Sequence, residues 1–322
     1  MDNPAYRIEE DFYKPETRWD FYISEKRKKV WAKELEIVFE FDRLCRKHGL
    51  RYTLDGGTML GAVRHNGFIP WDDDFDVNMP RADYERAKVI MQEELPYPYE
   101  WQDLYTNLSV CTPEQITSTH MLPFAKIRNR ETTAIEPPAM PMEVNQGIWI
   151  DIFPLDEGFD EINVTPEMKE IAKELYVTVF GKPEIIRKLM DPNVLPAVPH
   201  EDLEAIMALP VIERYRIYEQ TMISMEGIST KYGYHYLEVL KNFSHSFDKS
   251  FYEDIIRIPF EGFDLPVYKR YHDFLTWWFG AEYMKPYIRK QHSAIFNPDV
   301  SYMDYFLHPD KYIDTLQLGC DD

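Results

Sequence analysis

The chain has 322 residues, of which 44% are hydrophobic and 15% aromatic, and it carries a formal net charge of −20. So much apolar material can build a large core, which excludes a disordered chain. The negative charge argues against a nucleic-acid partner, whose phosphates need a basic surface.

Three cysteines, Cys45, Cys111 and Cys320, are too scattered and odd in number for a disulfide framework or a zinc site. The start, MDNPAYRIEE, is acidic and polar, so no signal peptide is expected. No apolar run approaches the roughly 18 residues that a transmembrane segment requires. These features predict a cytoplasmic protein.

In chain order, residues 19–48 read as one long helix. Trp31, Leu35, Val38, Asp42 and Cys45 fall near one stripe, widened by Phe39 and Leu44. The run EKRKK at 25–29 is expected to be its solvated start. His48-Gly49 is a stop signal, because glycine takes the left-handed conformation cheaply. Leu50–Leu54 alternates as a strand, Gly56-Gly57-Thr58 ends it, and Met59–Val63 reads as a short helix. Asn66-Gly67 is a turn signal. Phe75, Val77 and Met79 alternate with Asp74, Asp76 and Asn78 in a second strand that stops at Pro80, and a helix over 81–94 follows.

Further strands are expected at Phe124–Arg128 and Gly147–Phe153. Residues 161–250 carry mostly helical patterns broken by Pro183, Pro192, Pro196, Pro199 and Pro210. A strand at Ile255–Phe260 and a helix at Lys269–Phe279 complete the series. This order predicts an α+β fold, a mixed β-sheet core flanked by helices with an added helical region. The expected organisation is one compact unit. Its catalytic core lies over 20–160, a mainly helical insertion over 161–250, and a C-terminal part over 251–322 completes the core and the pocket.

The most informative stretch is GGTMLGAVRHNGFIPWDDDFDVNMPR, residues 56–81, which places Asp72, Asp73, Asp74 and Asp76 beside Trp71 and Phe75. Side chains two apart on a strand share a face, so Asp74 and Asp76 point together while Phe75 and Val77 face the core. Their Cα atoms would stand about 6–7 Å apart, a separation from which two carboxylates can converge on a hard divalent cation, Mg²⁺ or Mn²⁺. A solvated acidic loop would not need the apolar flanks. A calcium loop fails where Val77 stands in place of the glycine and Asp83 in place of the bidentate glutamate. The upstream Gly56-Gly57-Thr58 favours nucleotide chemistry, because glycines let backbone N–H groups approach a phosphate at a helix N-terminus.

Those residues carry a resemblance. YTLDGGTMLGAVRHNGFIPWDDDFDVNMPRADYE is similar to the signature of the LicD family, phosphocholine and phospho-alcohol transferases with a nucleotidyltransferase-like fold, related to the fukutin-type transferases. The likeness extends to KIRNRETTAIEP (126–137), NQGIWIDIFPLD (145–156) and IPFEGFDLPV (258–267). It covers residues 30–160 and 255–290 well, 161–250 loosely, and the ends hardly at all.

The resemblance implies transfer of phosphocholine or a similar phospho-alcohol from a CDP-alcohol such as CDP-choline to a hydroxyl of a cell-surface glycan or its lipid-linked precursor, releasing CMP. It implies Asp74, Asp76 and Asp151 as metal ligands, with Asp151 also a base, and leaves open which of Asp72 and Asp73 joins them. Gly56, Gly57 and Thr58 would face the phosphates. Arg64, His65, Lys126 and Arg128 are further phosphate candidates, although a basic pair such as Lys126 and Arg128 in so acidic a chain also serves as ion-pair partners. Trp71 reads as structural. A quaternary ammonium would want an aromatic cage, for which Tyr52, Trp149, Trp277 and Trp278 are candidates. A lipid-linked acceptor would bring the protein transiently to the inner membrane face. The competing readings are an Asp-x-Asp glycosyltransferase using a nucleotide sugar, which the Gly-Gly turn disfavours, and a non-catalytic binding module, which the full carboxylate set disfavours.

Overall fold

A hairpin precedes the first helix. β1 (Glu16–Arg18) pairs antiparallel with β2 (Phe21–Ile23), and Trp19 and Asp20 turn the corner at φ 54° and 59°. The long helix α1 (Glu25–His48) therefore starts later than the sequence pattern suggests, capped by the Ser24 side chain, which accepts from the Arg27 N–H. Its end is as expected, with Gly49 at φ 62°. The stripe Trp31, Leu35, Val38, Asp42 and Cys45 is buried. The EKRKK run is not a solvated start: Arg27 and Lys28 are buried, because the hairpin folds back and Glu16 pairs with Lys28. The computed structural model describes residues 7–116, 121–137, 143–157, 205, 208–224, 226–227, 229–234, 245–288 and 294–312.

After α1 come β3 (Thr53–Leu54), α2 (Gly56–His65), β4 (Asp76–Pro80), α3 (Arg81–Glu94), β5 (Tyr99–Gln102), α4 (Leu104–Val110), β6 (Ala125–Asn129), β7 (Thr133–Ile135) and β8 (Trp149–Glu157). Then follow α5 (Val211–Ser224), β9 (Lys231–Gly233), β10 (Ser246–Asp248), β11 (Ile255–Phe260), β12 (Phe263–Tyr268), α6 (Tyr271–Phe279) and β13 (Ile295–Asn297). The glycine pair is the first turn of α2 rather than a turn before it. Of the expected helical insertion over 161–250, residues 161–204, 206–207, 225, 228 and 235–244 lie outside the described residues; among the others, α5 is accompanied by two short strands.

The fold is α+β. Its central sheet is built around β8, which pairs parallel with β4 on one side, and antiparallel with β6 and, further along, β9 on the other. β3 extends the sheet beyond β4, β5 beyond β6, and β10 beyond β9. α1 packs against β6 and β8, and α3 against β4, β5 and β8. The parallel pair is buried along nearly its whole length although β4 reads DVNMP and β8 WIDIFPLDE, so polar side chains such as Asn78 and Asp156 are buried with it. The hairpin β11–β12 turns through Glu261 and Gly262 at φ 48° and 86°, and packs on α2 and β3. Phe68, Phe75 and Phe260 meet edge to face there, with centroids 4.9–6.0 Å apart, and lock the acidic loop onto this hairpin.

Candidate active site

The β4–β8 register sets Asp76 directly beside Asp151. The Asp151 N–H donates to the Phe75 carbonyl at 2.8 Å, which fixes the approach. On the far side of β8, Lys126 is the antiparallel partner of Asp151, and its Nζ lies 2.9 Å from Asp151 Oδ1. The Trp149 indole N–H donates to Asp151 Oδ2 at 3.2 Å. Burial, Asp74, Asp151, Asp55 and Asp72 together hold the Asp76 carboxyl well above the usual carboxylate range.

α2 closes the other side. An added Cβ at Gly57 would stand 2.9 Å from Asp72 Oδ2, and one at Gly56, which has φ 41°, 3.7 Å from Asp76 Oδ2. The helix N-terminus therefore touches the acidic face through its two glycines. Thr58 serves inside the protein: its Oγ1 accepts from the Asp76 N–H at 2.9 Å. Behind the first turn, Asp55 accepts from the Tyr234 hydroxyl at 2.6 Å, and Tyr234 in turn accepts from Asn78 Nδ2 at 3.1 Å. Thr53, Tyr252 and Tyr268 donate to the Asn78 side-chain oxygen. This buried polar network, invisible in the sequence, ties β3, β4 and the start of α2 together.

The acidic loop alternates. Asp72, Asp74 and Asp76 are half-buried and share the open face, whereas Asp73 is buried beside Phe75. The structure thus separates the two residues that the sequence left unsettled. α1 supports the loop from below. The Arg27 guanidinium and the Trp31 indole N–H both donate to the Asp72 carbonyl, at 2.7 and 3.2 Å. Glu34 lies under the same loop, and burial with the charges of Asp74, Asp73 and Asp72 pushes its carboxyl well up.

Gly56, Gly57, Asp72, Asp74 and Asp76 line a cleft of about 730 Å³ together with Arg64 and Trp71, and Trp278, Phe279, Glu282, Tyr283, Lys285 and Tyr287 supply a further, largely aromatic wall. The Arg64 guanidinium donates to the Tyr283 carbonyl at 2.7 Å and to His65 Nε2 at 2.8 Å. His65 packs edge-on to Trp19 and Trp71, and burial with the nearby Arg64 and Arg18 lowers its pKa to about 4. Arg128 is fully buried away from the cleft. It donates to Gln102, the Gly147 carbonyl and Glu136. Of the aromatic candidates, Trp278 lines the cleft. Tyr52 is buried and donates to Asp42, and Trp149 lies beneath Lys126 and Arg128.

Residues 49–151 match the family described as LicD/FKTN/FKRP, nucleotidyltransferase domain. This chain carries a LicD-family domain. It is 41% identical over 80 residues to Lipopolysaccharide cholinephosphotransferase LicD of Haemophilus influenzae, a stretch covering 25% of this chain and 30% of that protein. It is 36% identical over 93 residues to human Ribitol 5-phosphate transferase FKRP, covering 29% of this chain and 16% of that one. An uncharacterized protein of Rickettsia prowazekii matches at 33% over 72 residues, 22% of this chain and 27% of that one. The matched segment thus spans less than a third of each relative.

The LicD-type segment contains the acidic loop, α2, Lys126 and Asp151, while the aromatic wall at 278–287 lies outside it. Among the described residues no helix is long and apolar enough to cross a membrane. The oxygen-only donor set of Asp74, Asp76 and Asp151 suits a hard divalent cation, which would relieve the repulsion that raises Asp76. Among the described residues no three such side chains stand close enough to grip one ion together, and Asp151 is engaged with Lys126. An ion held by all three would require carboxylate rotation, and Asp74 and Asp76 are only half-buried.

Proposed function

We propose that this protein transfers a phospho-alcohol from a CDP-alcohol to a hydroxyl of a cell-surface glycan or its lipid-linked precursor, releasing CMP. One observation carries the reading: Asp76, the neighbour of Asp151 across a parallel strand pair, faces a glycine-opened helix N-terminus in the cleft. The relatives, a cholinephosphotransferase and a ribitol 5-phosphate transferase by name, support the reaction class.

The N–H groups of Gly56 and Gly57 at the start of α2 would receive phosphate oxygens, which the helix dipole favours. Asp151 accepts the proton of the acceptor hydroxyl. The acceptor oxygen then bonds to the phosphorus that carries the alcohol, the bond from that phosphorus to the bridging oxygen breaks, and CMP leaves with the electron pair. Mg²⁺ or Mn²⁺ held by Asp74, Asp76 and Asp151 would supply charge neutralisation on the pyrophosphate and a lowered hydroxyl pKa. Lys126 balances the charge of Asp151 and orients it. Asp72, on the same open face, is the further carboxylate of the set. The site of action is the cytoplasm, with transient visits to the inner membrane face when the acceptor is lipid-linked.

The test is CMP release from CDP-choline, CDP-ethanolamine, CDP-ribitol and CDP-glycerol with Mg²⁺. Release from at least one donor, abolished by chelation, is expected. Turnover of a UDP-sugar with no CMP release from any donor would establish the glycosyltransferase reading instead.

A further inference from the structure

We infer that the rim of the cleft docks onto a lipid bilayer by apolar insertion, with Trp19 of the β1–β2 hairpin and Met284, Tyr287 and Ile288 after α6 as the inserting side chains. The inference rests on the lipid-linked form of the acceptor in the transfer reading, and it assigns the surface that would carry the cleft there. Of the twelve large apolar side chains exposed among the described residues, four lie within 277–288. Three of them, Met284, Tyr287 and Ile288, belong to the segment that follows α6.

That segment is braced. The Tyr283 and Lys285 N–H groups donate to the Gly280 and Glu282 carbonyls at 3.2 and 2.8 Å, and Arg64 donates to the Tyr283 and Lys285 carbonyls. Arg64 also donates to His65, whose ring packs edge-on to Trp19 with centroids 5.0 Å apart. Trp19 stands at the hairpin corner. The end of α2 thus supports two segments, distant in sequence, that present bulky apolar groups to solvent beside the cleft.

Area and charge choose the occupant. The four side chains are 48–72% exposed and together offer on the order of 500 Å². A stable protein interface takes roughly 800 Å² from each partner. Trp and Tyr beside Met, Ile and a lysine suit a bilayer instead: rings sit at the headgroup level, aliphatic tips reach the acyl chains, and the Lys285 ammonium stretches back to water. Lys285 pairs with Glu282, so the two add no net charge to the rim. The chain as a whole carries −20, so anionic headgroups repel it and attraction between opposite charges does not hold it there.

The experiment is co-sedimentation of the full chain with phosphatidylcholine vesicles, with and without about a third of phosphatidylglycerol, at about 0.05 and 0.5 M salt. Binding to pure phosphatidylcholine should not change with salt. Binding to the anionic vesicles should be weaker at low salt and recover as salt screens the repulsion. The double variant Met284→Ser, Ile288→Ser should lower vesicle affinity about tenfold or more, because affinity scales with the apolar area inserted. Trp19→Ser should lower it severalfold, and Val89→Ser, an exposed control on α3, should leave it unchanged. Circular dichroism should be unaltered in all of them. Failure to bind vesicles, tighter binding with phosphatidylglycerol, or unchanged affinity in the double variant would each overturn the inference. So would a dimer in analytical ultracentrifugation that the double variant abolishes, which would make the rim an interface between copies. The transfer reading is judged separately by CMP release. Vesicle binding without CMP release sinks the reaction and leaves the surface standing; release without vesicle binding does the reverse.

Discussion

Gly57→Ala should separate stability from activity. Gly57 lies in the first turn of α2, and its Cβ would meet Asp72 Oδ2 at 2.9 Å, the end of a half-exposed side chain and not backbone. Ordinary contact begins at 3.4 Å, so the carboxylate must withdraw by about half an ångström. Folding loses nothing by that shift and gains from the smaller entropy of the unfolded chain, about 0.5–1 kcal/mol for glycine to alanine. That corresponds to a rise in Tm of about 1–3 °C for a chain of this size. Catalysis should suffer, because a group misplaced by about 1 Å costs about 10²-fold, so half that displacement costs about tenfold. The assays are a thermal melt and the rate of CMP release. Gly61→Ala is the contrast: there the Cβ would lie 2.5 Å from the Gly67 carbonyl, which is backbone and cannot give, so Tm should fall. A Gly57→Ala protein with full activity would refute the placement of Asp72 at the working face. One with a lowered Tm would refute the claim that only a side chain is displaced.

Asp74→Asn and Asp76→Asn should each abolish divalent-cation binding by calorimetry while leaving the circular dichroism spectrum unchanged. Because the folded-state pKa of Asp76 is raised, its contribution to stability is full at low pH and lost as pH rises through that value, so Asp76→Asn without metal should raise Tm at pH 8 but not at pH 4. Arg81 grips Asp156 through two bonds, at 2.6 and 2.8 Å, with both residues buried. Arg81→Met strands a buried carboxylate and should cost about 3–5 kcal/mol in chemical denaturation; a loss under about 1 kcal/mol would mean the pair is dispensable. With its pKa lowered to about 4, His65 disfavours folding progressively as pH falls from its ordinary value of 6.5 toward 4. His65→Gln should flatten that part of the stability profile, and an imidazole NMR titration near 6.5 would contradict the packing described for it.

Much of the frame is legible from local pattern. The α1 stripe, the Gly49 stop, the Asp76–Pro80 strand, the helix over 81–94 and the Ile255–Phe260 strand are set by residues within a few positions of one another. The errors arise where distant segments intervene. Arg27 and Lys28 look like a solvated helix start until the β1–β2 hairpin and the Asp72 carbonyl cover them. Gly56-Gly57 reads as a breaker, yet the first turn of a helix tolerates glycine, and Gly56 takes φ 41° there. β9 and β10 are three residues each, too short for any period to show. At the site, alternation along 72–76 points Asp74 and Asp76 together, and the structure adds Asp72 to that face. Lys126 and Arg128 look equivalent two residues apart on one strand. Only the fold gives one to Asp151 and buries the other against Gln102, Gly147 and Glu136. Among 22 tyrosines, 19 phenylalanines and 7 tryptophans, composition could not single out the four rings of the far wall.

Helix α2 touches both ends of the cleft. Its first residues meet the carboxylates, and Arg64, near its last, holds the carbonyls of Tyr283 and Lys285 beneath the rings. Ten residues of helix rise about 15 Å. The helix therefore acts as a gauge: its length, not any single contact, sets the distance between the carboxylates and the rings. Adding one helical turn would lengthen the gauge by about 5 Å and should change the length of ligand the cleft accepts without altering a residue at either end.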